Sequence, residues 1–354
     1  MRLRTRRLLF AATALVAAFA IATAVVLAVD IYLHGRYERS AGFNVWGYRG
    51  HPVGKKKAGE YRVAVLGGSA AYGYGVTADD ALPAVLERLL RMRTATPTYT
   101  VVNLGYNNEG AYSFKATLED YRWLRYDLVI LYEGYNDMSA VRPNVQIFRH
   151  DSPVFRLLGY MPIFPIIFKE KAAAMTHGGD AGALYRQGPQ TEFHANLATR
   201  AGAGVLDATA DVARALEAQL GRVSEEPYHS VDSTATAGCT PRWGVYCQSM
   251  ATAILYARAQ GAQVLVGTQP YLRLEEYIHN THVEQQAQLR DMLTRRFGAD
   301  PSVGYVDLGT RIDLEDRQLS FDHMHLTEDG NRQAAAAFVE PVIAMAARRQ
   351  GQAR

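Results

Sequence analysis

From residue 61 the chain alternates short apolar, β-branched runs with amphipathic stretches, and this rhythm constrains its fold more than any other feature. Tyr61 to Leu66 (YRVAVL), Tyr99 to Leu104 (YTVVNL) and Tyr126 to Tyr132 (YDLVILY) read as strands. The third is almost wholly apolar, as expected of a strand covered on both faces. Thr77, with Asp80 at capping-box spacing, opens the first helical stretch, and Ser113 to Leu124 forms the next. The rhythm breaks between about residues 140 and 245. It resumes with a helix near 246–260, a strand Gln263 to Gly267, a helix near 283–297, a strand Gly304 to Leu308 and a last helix from Thr327 to Ala347. The pattern predicts an α/β chain with a mainly parallel sheet of about five strands and one large insertion.

The N-terminus carries a different signal. Arg2, Arg4, Arg6 and Arg7 precede an uncharged apolar run from Leu8 to Val29. Twenty-two helical residues reach about 33 Å, enough to cross a bilayer core. The rival reading is a cleaved signal peptide, for which Ala22-Thr23-Ala24 resembles a cleavage site, although the apolar region of such peptides is usually shorter. The arginines favour a cytoplasmic N-terminus and an extracytoplasmic remainder. The expected organisation is a cytoplasmic tail (1–7), a single-pass anchor (8–29), a juxtamembrane linker (30–59) and a catalytic domain (60–350) with its insertion at about 140–245. Within the insertion, Leu206 to Leu220 reads as an amphipathic helix. Val154 to Phe168 is apolar but interrupted by Pro162 and Pro165, which argues against a second span. A buried core segment, a lid and a lipid-facing surface all remain open for it.

Composition narrows the function classes. A net charge of +3, with no stripe of Lys and Arg among aromatics, excludes nucleic acid as an expected partner. Lys55, Lys56 and Lys57 read as a solvated run. The two cysteines, Cys239 and Cys247, enclose a short loop. In a chain facing an oxidising compartment they suggest a local disulfide, with two buried free thiols as the alternative. No His or further Cys stands at zinc-ligand spacing beside them, and neither metal nor cofactor is expected.

Four segments that follow strands or precede the last helix carry candidate chemistry. Gly67-Gly68-Ser69-Ala70 places a serine in a glycine-flanked turn between strand and helix. Gly105 follows the second strand. Glu133-Gly134-Tyr135-Asn136-Asp137 follows the third and offers the Asn136 amide as a donor. Phe321-Asp322-His323-Met324-His325 precedes the last helix. Taken alone, Ser69 is equally a helix N-cap and Gly105 a plain turn glycine.

Together, and in this order, the segments resemble the four signature blocks of the SGNH/GDSL hydrolase family: nucleophile Ser69, then Gly105, then Gly134 and Asn136, then the D-x-x-H pair Asp322 and His325. The resemblance covers about residues 60–345 outside the insertion and implies a three-layer, flavodoxin-like sandwich. One departure from the family motif G-D-S-L is that Gly68 replaces the Asp and Ala70 the Leu. The resemblance implies that His325 deprotonates Ser69 and that Asp322 orients the imidazole. The N–H groups of Ser69 and Gly105 and the Asn136 side chain would receive the oxyanion. His323 stands at the wrong spacing from Asp322 for this role.

The expected activity is a serine esterase or acylhydrolase acting on an acyl ester of a carbohydrate or lipid. An O-acyltransferase of an envelope glycan and a silent carbohydrate-binding or assembly fold are the alternatives. An α/β-hydrolase is disfavoured because acid and histidine are only three residues apart. A nucleotide-binding protein is disfavoured because no phosphate-loop pattern follows Gly67.

Overall fold

The computed structural model describes residues 2–37, 43–138, 147, 149–164, 167, 237–272 and 275–352. Five strands, β1 (Glu60–Leu66), β2 (Thr98–Asn103), β3 (Leu128–Tyr132), β4 (Gln263–Gly267) and β5 (Val303–Val306), form one sheet in the order β2-β1-β3-β4-β5. Every pairing is parallel. Alternate side chains of each strand face opposite layers. Val63, Val65, Leu128, Ile130 and Leu265 pack with helices α3 (Leu82–Arg93) and α8 (Glu328–Gln352). Ala64, Leu66, Val129, Leu131, Val264 and Val266 pack with α4 (Phe114–Asp120), α6 (Gly244–Ala259) and α7 (Glu276–Phe297). The result is the expected three-layer α/β sandwich. Its strand order reverses between β1 and β3, and in open α/β sheets ligands bind at such a switch, outside the carboxyl ends of the strands.

Several boundaries differ from the sequence reading. Strand β3 starts at Leu128, although Asp127 still bonds to both neighbours through its backbone, its N–H donating to the Arg62 oxygen (2.7 Å) and its oxygen accepting from the Gln263 N–H (2.8 Å), while its carboxylate accepts from the Arg62 N–H (2.8 Å) and Lys56 Nζ (2.5 Å). Lys56 is therefore paired, not merely solvated. Strand β5 ends at Val306, and the Leu308 N–H donates to Thr268 Oγ1 (3.0 Å). Thr77 forms no capping box: its hydroxyl meets the Asp80 side chain (2.5 Å), a single 3-10 turn follows, and α3 starts at Leu82 with Pro83 in its first turn.

Helix α1 (Arg2–Tyr37) continues beyond the apolar run. Thr5–Arg36 is long and apolar enough to cross a membrane, by length and composition. Its end is tied to the domain. Asp30 and His34 are buried. Asp30 accepts from the N–H groups of Ile163 (3.0 Å) and Phe164 (2.5 Å), and the His34 ring nitrogens lie 2.9 Å from the Phe43 and Met161 carbonyl oxygens. The Val154–Phe168 stretch is thus divided. Phe155, Met161 and Ile163 are buried, while Leu157 and Leu158 on the short α5 (Pro153–Leu158) are exposed. The Leu206–Leu220 helix expectation lies outside the described residues.

Cys239 and Cys247 are joined in a disulfide at the entry to α6. Closing so short a loop restricts the unfolded chain and should stabilise the fold by about 2–3 kcal/mol. Peptide mass spectrometry without reduction should find the two cysteines linked. Two free thiols in protein isolated from its native compartment would contradict this.

Candidate active site

The Ser69 turn is built where β1 runs out. Leu66 pairs with Leu131 of β3, so the segments after both strands emerge side by side. Gly67 and Gly68 follow, and Ser69 begins the one-turn helix α2 (Ser69–Tyr72). That helix is held from its far end. Buried Arg49 donates to the carbonyl oxygens of Tyr72 (2.6 Å) and Gly73 (2.5 Å), and Asn103 Nδ2 adds a bond to the Tyr72 oxygen (3.1 Å). A cation at a helix C-terminus satisfies the last carbonyls.

The D-x-x-H segment reaches Ser69 from the other side of the sheet end. Residues 319–327 close on themselves: the Thr327 N–H donates to the Leu319 oxygen (3.0 Å), the Phe321 N–H to the His325 oxygen (3.2 Å), and Ser320 Oγ to that same oxygen (2.9 Å). Buried Asn331 fastens this turn to α3 by accepting from the Leu82 N–H (3.1 Å) and donating to the Leu326 oxygen (3.1 Å). Asp322 Oδ1 accepts from the backbone N–H groups of Met324 (3.1 Å) and His325 (2.6 Å), leaving Oδ2 for His325 Nδ1 (2.6 Å). His325 Nε2 lies 2.8 Å from Ser69 Oγ. Burial raises the Asp322 carboxyl, but the hydrogen bonds from the His325 ring and the two backbone donors outweigh it and hold the pKa below its ordinary value. His323 sits at the tip of the turn with φ at 65°.

The rings of Tyr74 and Phe321 flank His325, the first at 4.8 Å between centroids and the second stacked at 5.8 Å. Neither was singled out in the sequence. Phe321 immediately precedes Asp322, whereas Tyr74 follows the one-turn helix that begins at Ser69.

The expected oxyanion donors are placed unequally. Asn136 Nδ2 donates to the Glu109 carbonyl oxygen (2.9 Å), which fixes the orientation of the amide and leaves its second hydrogen for another acceptor. Gly105 is packed under α2, where a Cβ would fall 2.6 Å from the Tyr72 nitrogen. Its N–H is donated to Asn103 Oδ1 (3.0 Å), so Gly105 would serve an oxyanion only after that bond is released.

Glu133, to which the sequence assigned no role, lies beneath both turns. It is fully buried, and its carboxylate accepts from the N–H groups of Gly68, Gly134 (2.9 Å) and Asn136 (3.2 Å). Asp137 is buried beside it and accepts from the Ala111 N–H (2.9 Å). Burial above all, with the charge of Glu109 adding, pushes Glu133 up to about 7 against the pull of its three N–H donors. The folded protein therefore binds this proton more tightly than the unfolded chain. The resulting stability is complete below the ordinary glutamate pKa and is lost as pH rises through about 7. As pH rises from about 5 to about 8, wild type should thus lose melting temperature relative to Glu133→Gln, whatever the offset between the two at about pH 5. A difference in melting temperature that stays flat across this range would contradict the burial argument.

The family comparison agrees with the fold. The profile of the GDSL-like lipase/acylhydrolase family matches residues 65–333. No curated protein matches the sequence. Among solved structures, an α/β hydrolase from the metagenome of Lake Arreo, Spain, is 13% identical, with a TM-score of 0.44 over 82% of this chain and 99% of that one. A lipase/acylhydrolase from Enterococcus faecalis is 13% identical, with a TM-score of 0.42 over 80% and 95%. An acetyl xylan esterase is 15% identical, with a TM-score of 0.41 over 79% and 99%. The profile match spans most of the chain, from the end of β1 into α8, and the chain belongs to the GDSL-like lipase/acylhydrolase family.

Proposed function

We propose that the chain is a membrane-anchored serine esterase or acylhydrolase, with Ser69, His325 and Asp322 as its triad and an acyl ester of a glycan or lipid as its substrate. The observation that carries this reading is the unbroken chain from Ser69 Oγ through His325 to Asp322 Oδ2, with steps of 2.8 and 2.6 Å. His325 Nε2 takes the hydroxyl proton as Ser69 Oγ attacks the ester carbon, and Asp322 holds the Nδ1–H and steadies the imidazolium. The Ser69 N–H and the free hydrogen of Asn136 Nδ2 receive the oxyanion. Collapse of the tetrahedral adduct expels the alcohol, which takes the proton from His325. Water then attacks the acyl-enzyme by the same route.

The anchor and topology belong to the same proposal. The uncharged run after four arginines, and a disulfide that suits an oxidising compartment, support a catalytic domain outside the cytoplasm. Protease added to spheroplasts should digest the domain, and the intact protein should sediment with membranes at high salt. Soluble protein beginning after Ala24 would make the segment a signal peptide.

The activity is tested with acyl esters from acetyl to long chain, each with and without polysaccharide acceptors. Free acid should appear without an acceptor. Acyl transfer with no hydrolysis would assign the site to an acyltransferase, and no turnover of any ester would overturn the reading.

A further inference from the structure

The family motif has an Asp immediately before the serine, and here Gly68 takes its place. The space that a side chain would need is occupied. A Cβ added to Gly68 would fall 2.1 Å from Asn136 Nδ2, 2.6 Å from Glu133 Oε2 and 2.9 Å from the Glu109 carbonyl oxygen. The glycine is therefore required by what surrounds it, and two of those neighbours come from the turn after β3.

We propose that Glu133 is the positioning residue of this site: its carboxylate enters the space left open at Gly68 and locks the Ser69 turn to the turn that carries Asn136. The proposal rests on the serine-hydrolase reading above. Glu133 Oε2 receives the Gly68 N–H, one residue before the nucleophile. Oε1 receives the N–H groups of Gly134 and Asn136. Among the described residues, the hydrogen-bond partners of the two oxygens are all donors, which is the pattern an ionised carboxylate satisfies and a protonated one does not. The Tyr246 hydroxyl holds the Glu133 carbonyl oxygen from α6 (3.1 Å), so the residue is fixed at both ends. One side chain thus sets the distance between the attacking oxygen and the Asn136 donor. A displacement of about 1 Å in such a pair costs about 100-fold in rate.

Two consequences separate this from a merely structural role. Glu133→Gln offers one oxygen where three N–H groups need two, and it turns an amide N–H toward a donor. It should lower kcat about 100-fold and leave KM within about threefold, because positioning acts on the reacting atoms more than on ground-state binding. Restoring the family residue with Gly68→Asp should also cost about 100-fold or more, since it drives a second carboxylate against Glu133 and displaces the Asn136 amide.

The experiment measures kcat and KM for full-length wild type, Glu133→Gln, Gly68→Asp and Ser69→Ala, with circular dichroism as a check on folding. Wild-type kcat in folded Glu133→Gln, or full activity in Gly68→Asp, overturns the proposal. Inactive Ser69→Ala beside fully active Glu133→Gln removes only the Glu133 role, whereas active Ser69→Ala removes the serine reading itself. Should the Glu133 variant fail to fold, wild-type protein labelled with 15N-glycine decides. The Gly68 amide should be strongly protected from hydrogen exchange, and exchange at the rate of an open turn overturns the proposal.

Discussion

Replacing Ser69 with alanine should leave the fold and its melting temperature nearly unchanged and lower ester turnover by about 10⁴-fold or more. The change deletes one oxygen whose hydrogen-bond partner is His325 Nε2 at 2.8 Å. The bonds that hold the turn are main-chain bonds, from the Tyr72 N–H to the Gly68 oxygen (2.9 Å) and from the Gly73 N–H to the Ser69 oxygen (2.9 Å), and alanine keeps them. The residual rate would come from substrate binding and the oxyanion donors. Circular dichroism, thermal melting and steady-state kinetics on one preparation check both halves. Hydrolysis at the wild-type rate by Ser69→Ala would end the triad assignment.

The second large effect separates two histidines that stand two residues apart. His325→Ala should cost about 10⁴-fold or more, because it removes the proposed base and strands Asp322 without its ring partner. His323 joins neither step of the Ser69–His325–Asp322 chain. Its left-handed backbone, with φ at 65°, makes asparagine a better replacement than alanine, since asparagine tolerates that conformation. His323→Asn should keep activity within about twofold of wild type. The opposite ranking of the two variants would move the base to His323.

Much of this was legible in the sequence because it depends on local pattern. YRVAVL and YDLVILY carry the alternation and apolar density of covered strands, and the D-x-x-H spacing lets Asp322 Oδ2 reach His325 Nδ1 across one turn. What escaped depends on register between distant segments. Glu133 acquires its place because Leu66 pairs with Leu131, which brings residues 68 and 133 together although 65 positions separate them. Arg49 fell in a stretch that reads as linker. It is instead 4% exposed and caps the helix that begins at Ser69, a contact no local pattern encodes. Gly105 illustrates the reverse. Its position after β2 was readable, but the return of the Asn103 side chain onto its N–H was not.

Where the family motif has an Asp before the serine, this chain has Gly68, and the Glu133 carboxylate lies beside it, accepting the Gly68 N–H. The carboxylate arrives from the end of β3 and not from the turn before Ser69. The cost is a fully buried acid, which opposes stability as pH rises through about 7.

The most direct measurement of the central claim is active-site labelling. A fluorophosphonate reacts with a serine only when a neighbouring base activates its oxygen. Wild-type protein treated with the probe, digested and analysed by peptide mass spectrometry should carry one phosphonyl group, on Ser69, and His325→Ala should carry almost none. No adduct on folded wild-type protein, or an adduct on a different serine, would contradict the assignment of Ser69, His325 and Asp322 as a catalytic triad.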